Sequence, residues 1–92
     1  MSYCRTTLFE YQTEEDANEL IAQYQANAPN NFADAEILLC TRTGPKTAIM
    51  TSLYASKEKA DLAMTARKPL LDDVKAKIKN IDTHEGEASQ LR

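Results

Sequence analysis

The sequence predicts an α+β fold of element order β-α-β-β-α-β, a four-stranded antiparallel sheet with two helices on one face. Three observations predict it. The stretch from Ala35 to Ser56, AEILLCTRTGPKTAIMTSLYAS, holds two apolar, β-branched runs around Thr43-Gly44-Pro45-Lys46, which is a hairpin signal. Helical periodicity flanks this hairpin on both sides. The junction Tyr11-x-Thr13-x-Glu15-x-Ala17 returns 43 residues later as Tyr54-x-Ser56-x-Glu58-x-Ala60. In each copy an aromatic ends a strand, a hydroxyl caps a helix, and Ala opens the buried stripe. Two strand-helix-strand units at that spacing give the split βαβ arrangement. Right-handed crossovers then place strands 1 and 3 in the middle and strands 2 and 4 at the edges.

The first strand is residues 3–11, YCRTTLFEY, rich in aromatic and Thr side chains. Thr13 and the acidic run Glu14-Glu15-Asp16 start a helix, because a hydroxyl accepts from exposed amides and carboxylates favour the positive helix end. Ala17, Leu20, Ile21 and Tyr24 form its buried stripe. Pro29 and the Asn pair at 30–31 predict an end near Asn27. The hairpin strands follow near 34–42 and 47–55. Ser56 caps a second helix with the stripe Ala60, Ala63, Met64, Leu71, Val74 and Ile78. Pro69 falls within that stripe, where it removes a backbone hydrogen bond, so a kink or break is expected near 65–69. Residues 80–91 read as a polar edge strand through Ile81-Asp82-Thr83-His84-Glu85, with a frayed helical continuation as the alternative.

The chain's 92 residues fit one domain, 1–92, near the lower end of sizes that fold without staples. Four Tyr, two Phe and no Trp make a thin core, which oligomerisation can supplement. Eleven basic against fourteen acidic residues give a net charge of −3, and no basic stripe suits nucleic acid. The N-terminus lacks an apolar segment of signal-peptide or membrane-span length, so no membrane association and a reduced cytoplasmic location are expected. Cys4 and Cys40 would have strand 3 between them, ~9–10 Å apart and too far for a disulfide.

The hairpin is apolar on two sides. With Gly44-Pro45 as turn centre, Ala35, Ile37, Leu39, Ala48, Met50 and Tyr54 share one face. Leu38, Cys40, Ile49 and Leu53 share the other, diluted by Glu36, Arg42 and threonines. A sheet wet on one side would alternate more cleanly. Two helices cover only one face, so the second face is expected to meet the same face of another copy in a two-fold homodimer.

The element order, the two-sided hairpin and the Tyr54-x-Ser56-x-Glu58-x-Ala60 junction resemble the dimeric α+β barrel superfamily, which includes antibiotic-biosynthesis-monooxygenase-like domains. The resemblance implies ferredoxin-like protomers joining their sheets face to face into a barrel. It also implies a pocket between the helices and the sheet. Oxygenase members often use a polar triad that includes Trp, which this sequence lacks.

Candidate pocket residues are Met50, Tyr54, Met64 and His84. Met50 and Met64 could form an adaptable pocket wall, or simply core. Tyr54, with Tyr11 at the matched strand end, could bring a hydroxyl to a pocket mouth or pack under the following helix. His84, the one histidine, suits proton transfer if it faces a pocket, and is otherwise a surface residue of an edge strand. Arg5 and Arg42 could grip a carboxylate, or could snorkel at the surface. The sequence carries no HxxxH, CxxC, Gly-rich phosphate loop or serine elbow, so no metal or cofactor is expected. Two functions fit: a small homodimer binding an apolar or aromatic molecule, or a cofactor-independent monooxygenase-like enzyme acting on a phenolic or enolic substrate. An open space between helix 2 and the sheet separates a protein with a site from one whose Met50, Tyr54 and Met64 close it.

Overall fold

The computed structural model describes residues 2–91. Strand β1 (Ser2–Tyr11) leads into helix α1 (Glu14–Asn31), then β2 (Ala35–Gly44), β3 (Thr47–Tyr54), helix α2 (Lys57–Val74), a short 3₁₀ turn at Lys75–Lys77, and β4 (Ile78–Ala88). The sheet is antiparallel throughout, in the order β2-β3-β1-β4. The βαββαβ arrangement and the central β1–β3 pair are thus as the repeat predicts. No helix among the described residues is long and apolar enough to cross a membrane.

Both repeated junctions are built the same way. Tyr11 and Tyr54 end their strands 2% exposed, and Ala17 and Ala60 are fully buried beneath the first helical turns. The Thr13 hydroxyl accepts from the Asp16 amide at 3.0 Å, and the Ser56 hydroxyl accepts from the Lys59 amide at 3.3 Å. Each satisfies one of the amides that a helix start leaves without an intrahelical partner.

Three expectations about the helices are corrected. Helix α1 continues past Asn27 to Asn31 with Pro29 in its last turn, where the Phe32 amide closes on the Ala28 carbonyl at 2.8 Å. Helix α2 runs from Lys57 to Val74 without a break at Pro69. Pro69 is exposed, so the carbonyl deprived of its donor can turn to water. Ile78, expected on the helix stripe, is the first residue of β4.

The largest correction concerns β2. Cys40 lies opposite Met50 and Leu38 opposite Ser52, while Leu39 faces Thr51 and Ile37 faces Leu53. Residues directly opposite share a face, so Leu38 and Cys40 point toward the helices and Ile37 and Leu39 point away. A register irregularity between Arg42 and Gly44 leaves Thr43 without an opposite number, and this extra residue moves the side chains from Ile37 to Arg42 to the other face, while a second irregularity between Ala35 and Ile37 keeps Ala35 on the side of Tyr54. The turn itself is held by Arg42, which donates to the carbonyls of Gly44 (2.9 Å) and Pro45 (2.7 Å) and to Asn18 Oδ1 (2.9 Å). Gly44 does not adopt positive φ. It is needed for space, because a Cβ there would stand 2.9 Å from Thr47 Oγ1.

The helix-facing core is formed by Phe9, Tyr11, Ala17, Leu20, Ile21, Ala48 and Met50. The other sheet face carries Leu8, Ile37 and Leu39, which are 39%, 46% and 55% exposed, beside half-buried Cys4, Ile49 and Leu53. In this apolar patch β2 contributes Ile37 and Leu39 in place of the expected Leu38 and Cys40.

The two caps should carry comparable weight. Thr13→Ala and Ser56→Ala are each expected to lower stability by about 1 kcal/mol in chemical denaturation, and the pair to add, since they cap different helices.

Candidate functional site

Helix α2 is the less deeply packed of the two. Ala60 is its one buried residue, whereas α1 buries Ala17, Leu20, Ile21 and Ala28. Beneath α2 lies a cavity of about 260 Å³. Its sheet floor follows the strand register: Arg5 beside Ser52, Thr7 beside Met50, then Phe9 and Tyr11. Leu20, Tyr24 and Ala28 of α1 form one wall, and Ala63, Arg67, Leu71 and Val74 of α2 form the other. Gln23, Asn27 and Asn31 on α1 and Asp73 on α2 line the cavity while exposed, and so mark its mouth.

One end of the floor is polar, and cross-strand pairing builds it. Arg5 on β1 stands opposite Glu85 on β4, and Thr7 stands opposite Thr83. Arg5, 4% exposed, donates from Nε to Glu85 Oε2 at 2.9 Å and from Nη1 to the Ala60 carbonyl at 3.0 Å. Its guanidinium also lies 6.0 Å from the Tyr54 ring centroid, within cation–π range. The Tyr3 hydroxyl donates to Glu85 Oε1 at 3.2 Å. Glu85 is consequently held below the ordinary 4.5, first by the Arg5 hydrogen bond, with burial working the other way.

Arg67 reaches down from α2 onto the next pair. Its Nη1 donates to Thr7 Oγ1 at 3.0 Å and its Nη2 to Thr83 Oγ1 at 3.2 Å. Its Nε is buried and has no hydrogen-bond partner. Burial, and next the charge of Arg5, hold the Arg67 pKa below its ordinary value. A guanidinium nevertheless remains charged at neutral pH. Burial also pushes Tyr11 and Tyr24 up to about 12, with smaller contributions from Cys40, so both hydroxyls stay protonated and able to donate.

Of the residues singled out in the sequence, Met50 and Tyr54 line this cavity and leave it open. Met64 lies instead in a shallow groove on α2 with Lys68, Asp72 and Ile81. His84 is opposite Thr6 on the other sheet face, 75% exposed, with Nε2 3.1 Å from Asp82 Oδ2. The sheet therefore separates His84 from the cavity. Arg42 is engaged at the hairpin turn, while Arg5 does grip a carboxylate, that of Glu85. Arg67 was not legible as a site residue, because a lone cation on an amphipathic helix reads as solvated. Its one sequence signal is its place in the i, i+3, i+7, i+11 row of Ala60, Ala63, Arg67 and Leu71, on the sheet-facing side. Among the described residues no three His, Cys, Asp or Glu side chains gather into a metal-binding group.

No protein-family model matches the chain, and no curated protein matches it in sequence. Solved structures do match in shape. A candidate antibiotic biosynthesis monooxygenase from Chloroflexus aurantiacus superposes with a TM-score of 0.78 at 12% identity, over 100% of this chain and 97% of that one. A dimeric ferredoxin-like protein from an uncultured marine organism gives 0.75 at 10% identity, over 99% and 92%. SnoaB, a cofactor-independent oxygenase from Streptomyces nogalater, gives 0.69 at 13% identity, over 97% and 94%.

The Arg5–Glu85 pair sets an acid limit on stability. Because the folded state lowers the Glu85 pKa, its contribution is complete above the ordinary value of 4.5 and is lost as pH falls toward the lowered one. Glu85→Gln is expected to destabilise the protein at neutral pH and to flatten its loss of stability between neutral and acid pH. An unchanged acid limb in denaturation curves would exclude Glu85 as its source.

With β1 and β3 central, both helices on one face and an open cavity beneath α2, the chain has the ferredoxin-like fold of antibiotic-biosynthesis-monooxygenase-like and dimeric ferredoxin-like proteins.

Proposed function

We propose that the protein is a homodimer that binds a small, mainly apolar or aromatic molecule in the cavity between α2 and the sheet. The observation that carries this reading is the cavity of about 260 Å³, which Met50 and Tyr54 line without closing. An apolar wall with a few convergent polar groups at one end is the usual form of a small-molecule site. Placement of His84 on the opposite sheet face favours binding over an oxygenase reaction that draws on an imidazole base.

The partner in the homodimer is a second copy of the outer sheet face. Leu8, Ile37, Leu39, Ile49 and Leu53 lie on one side of three adjacent strands, too continuous an apolar surface to sit comfortably in water. Support also comes from fold neighbours that are dimeric ferredoxin-like proteins. A closed two-fold pairing of this face would leave the cavity, on the helix side, unobstructed.

Two experiments test the reading. Indole, a neutral planar aromatic, is expected to bind saturably in calorimetry, and Ala63→Phe, which fills the cavity from α2, to weaken that binding at least about tenfold. Absence of saturable binding, or full binding by Ala63→Phe, would overturn the cavity as the site. Light scattering is expected to give twice the chain mass for the native protein and a lower value for Leu39→Glu. A native protein of single-chain mass would contradict the homodimer.

A further inference from the structure

The polar end of the cavity has an unbalanced charge. Two guanidinium groups, Arg5 and Arg67, line it, and one carboxylate, Glu85, lies beside them. That carboxylate is already taken: Arg5 Nε holds one oxygen at 2.9 Å and the Tyr3 hydroxyl holds the other at 3.2 Å. Arg67 is left with two neutral threonine hydroxyls as acceptors and a buried Nε with none. The one carboxylate of the lining itself, Asp73, is exposed at the mouth, six positions further along α2 and hence about 9 Å away along the helix axis.

A half-buried cation with no carboxylate in contact is costly, Glu85 acts on Arg67 only at longer range, and hydrogen bonds to neutral hydroxyls offset only part of the lost hydration. The outer sheet face cannot supply the missing anion from a second copy, because the whole sheet lies between that face and Arg67. We infer that the cavity's ligand is itself an anion: an apolar or aromatic molecule with a single carboxylate, which docks beside the Arg67 guanidinium while its ring lies toward Phe9 and Leu71. One negative charge balances the excess, since Glu85 already neutralises Arg5. The planar fork of Arg67 matches a carboxylate better than it matches the two separate hydroxyls that hold it. Tyr24, a neutral phenol at neutral pH, offers a donor in the opposite wall.

This inference rests on the cavity being the ligand site, and the test separates the two claims. Cinnamate and cinnamamide share size and planarity and differ in charge. The native protein is expected to bind cinnamate at least about tenfold more tightly than cinnamamide in calorimetry at neutral pH. In Arg67→Met, which keeps an unbranched side chain out to the ε position and removes the charge, the preference should disappear because cinnamate loses far more affinity than cinnamamide. Arg67→Lys should restore part of it. A purely bracing role for Arg67 would weaken both ligands alike, and that result would overturn the inference. Equal binding of both ligands by the native protein would overturn it as well and leave the cavity reading standing. Binding of neither would overturn both. The native comparison decides the matter even if Arg67→Met does not fold.

Discussion

Helix α2 is attached to the sheet by two arginines beside a thin apolar stripe of Ala60, Leu71 and Val74, and most of the site follows from that. Arg5 rises from β1 to the Ala60 carbonyl at the start of the helix. Arg67 descends from the helix to Thr7 and Thr83. Between these two posts the helix presents Ala63 to the cavity, a side chain too short to fill the space to the sheet. Long polar struts with small residues between them hold a helix over a floor without closing the gap. A Leu or Phe at Ala63 would pack the same interface conventionally and remove the cavity.

The two faces of the sheet consequently do different work. The helix side combines a packed apolar end, around Phe9, Tyr11, Leu20 and Met50, with a polar end built from the cross-strand pairs Arg5–Glu85 and Thr7–Thr83. The outer side gathers Leu8, Ile37, Leu39, Ile49 and Leu53 over β1, β2 and β3, while β4 adds Asp82 and His84 at the margin. Apolar area is concentrated where a second sheet can cover it, and the polar edge strand stays wet. His84, the most inviting residue for chemistry in the sequence, sits on that margin.

Much of the fold was legible because local rules and the repeat agree. The junctions at Thr13 and Ser56 announced both helix starts, and the spacing between them gave the strand order. The face of β2 was not legible, since it depends on one unpaired residue, Thr43, in a turn whose composition allows more than one register. Pro29 and Pro69 read as stops, yet each costs one backbone hydrogen bond at an exposed position, which a helix fixed elsewhere tolerates. At the site, Met50 and Tyr54 were visible from strand alternation. Arg5 was visible as a candidate grip on a carboxylate, although the carboxylate proved to be the chain's own Glu85. Arg67 was hidden, because helical spacing alone does not say whether a cation on the sheet-facing row finds a counter-charge.

The central claim is that α2 stands off the sheet over a cationic cavity. A crystal structure of the protein grown with cinnamate tests it most directly. The account predicts the aromatic ring between α2 and the sheet, with a carboxylate oxygen within hydrogen-bonding distance of the Arg67 guanidinium. A structure in which Tyr24 and Leu71 have collapsed onto Met50, leaving no space beneath the helix, would contradict it.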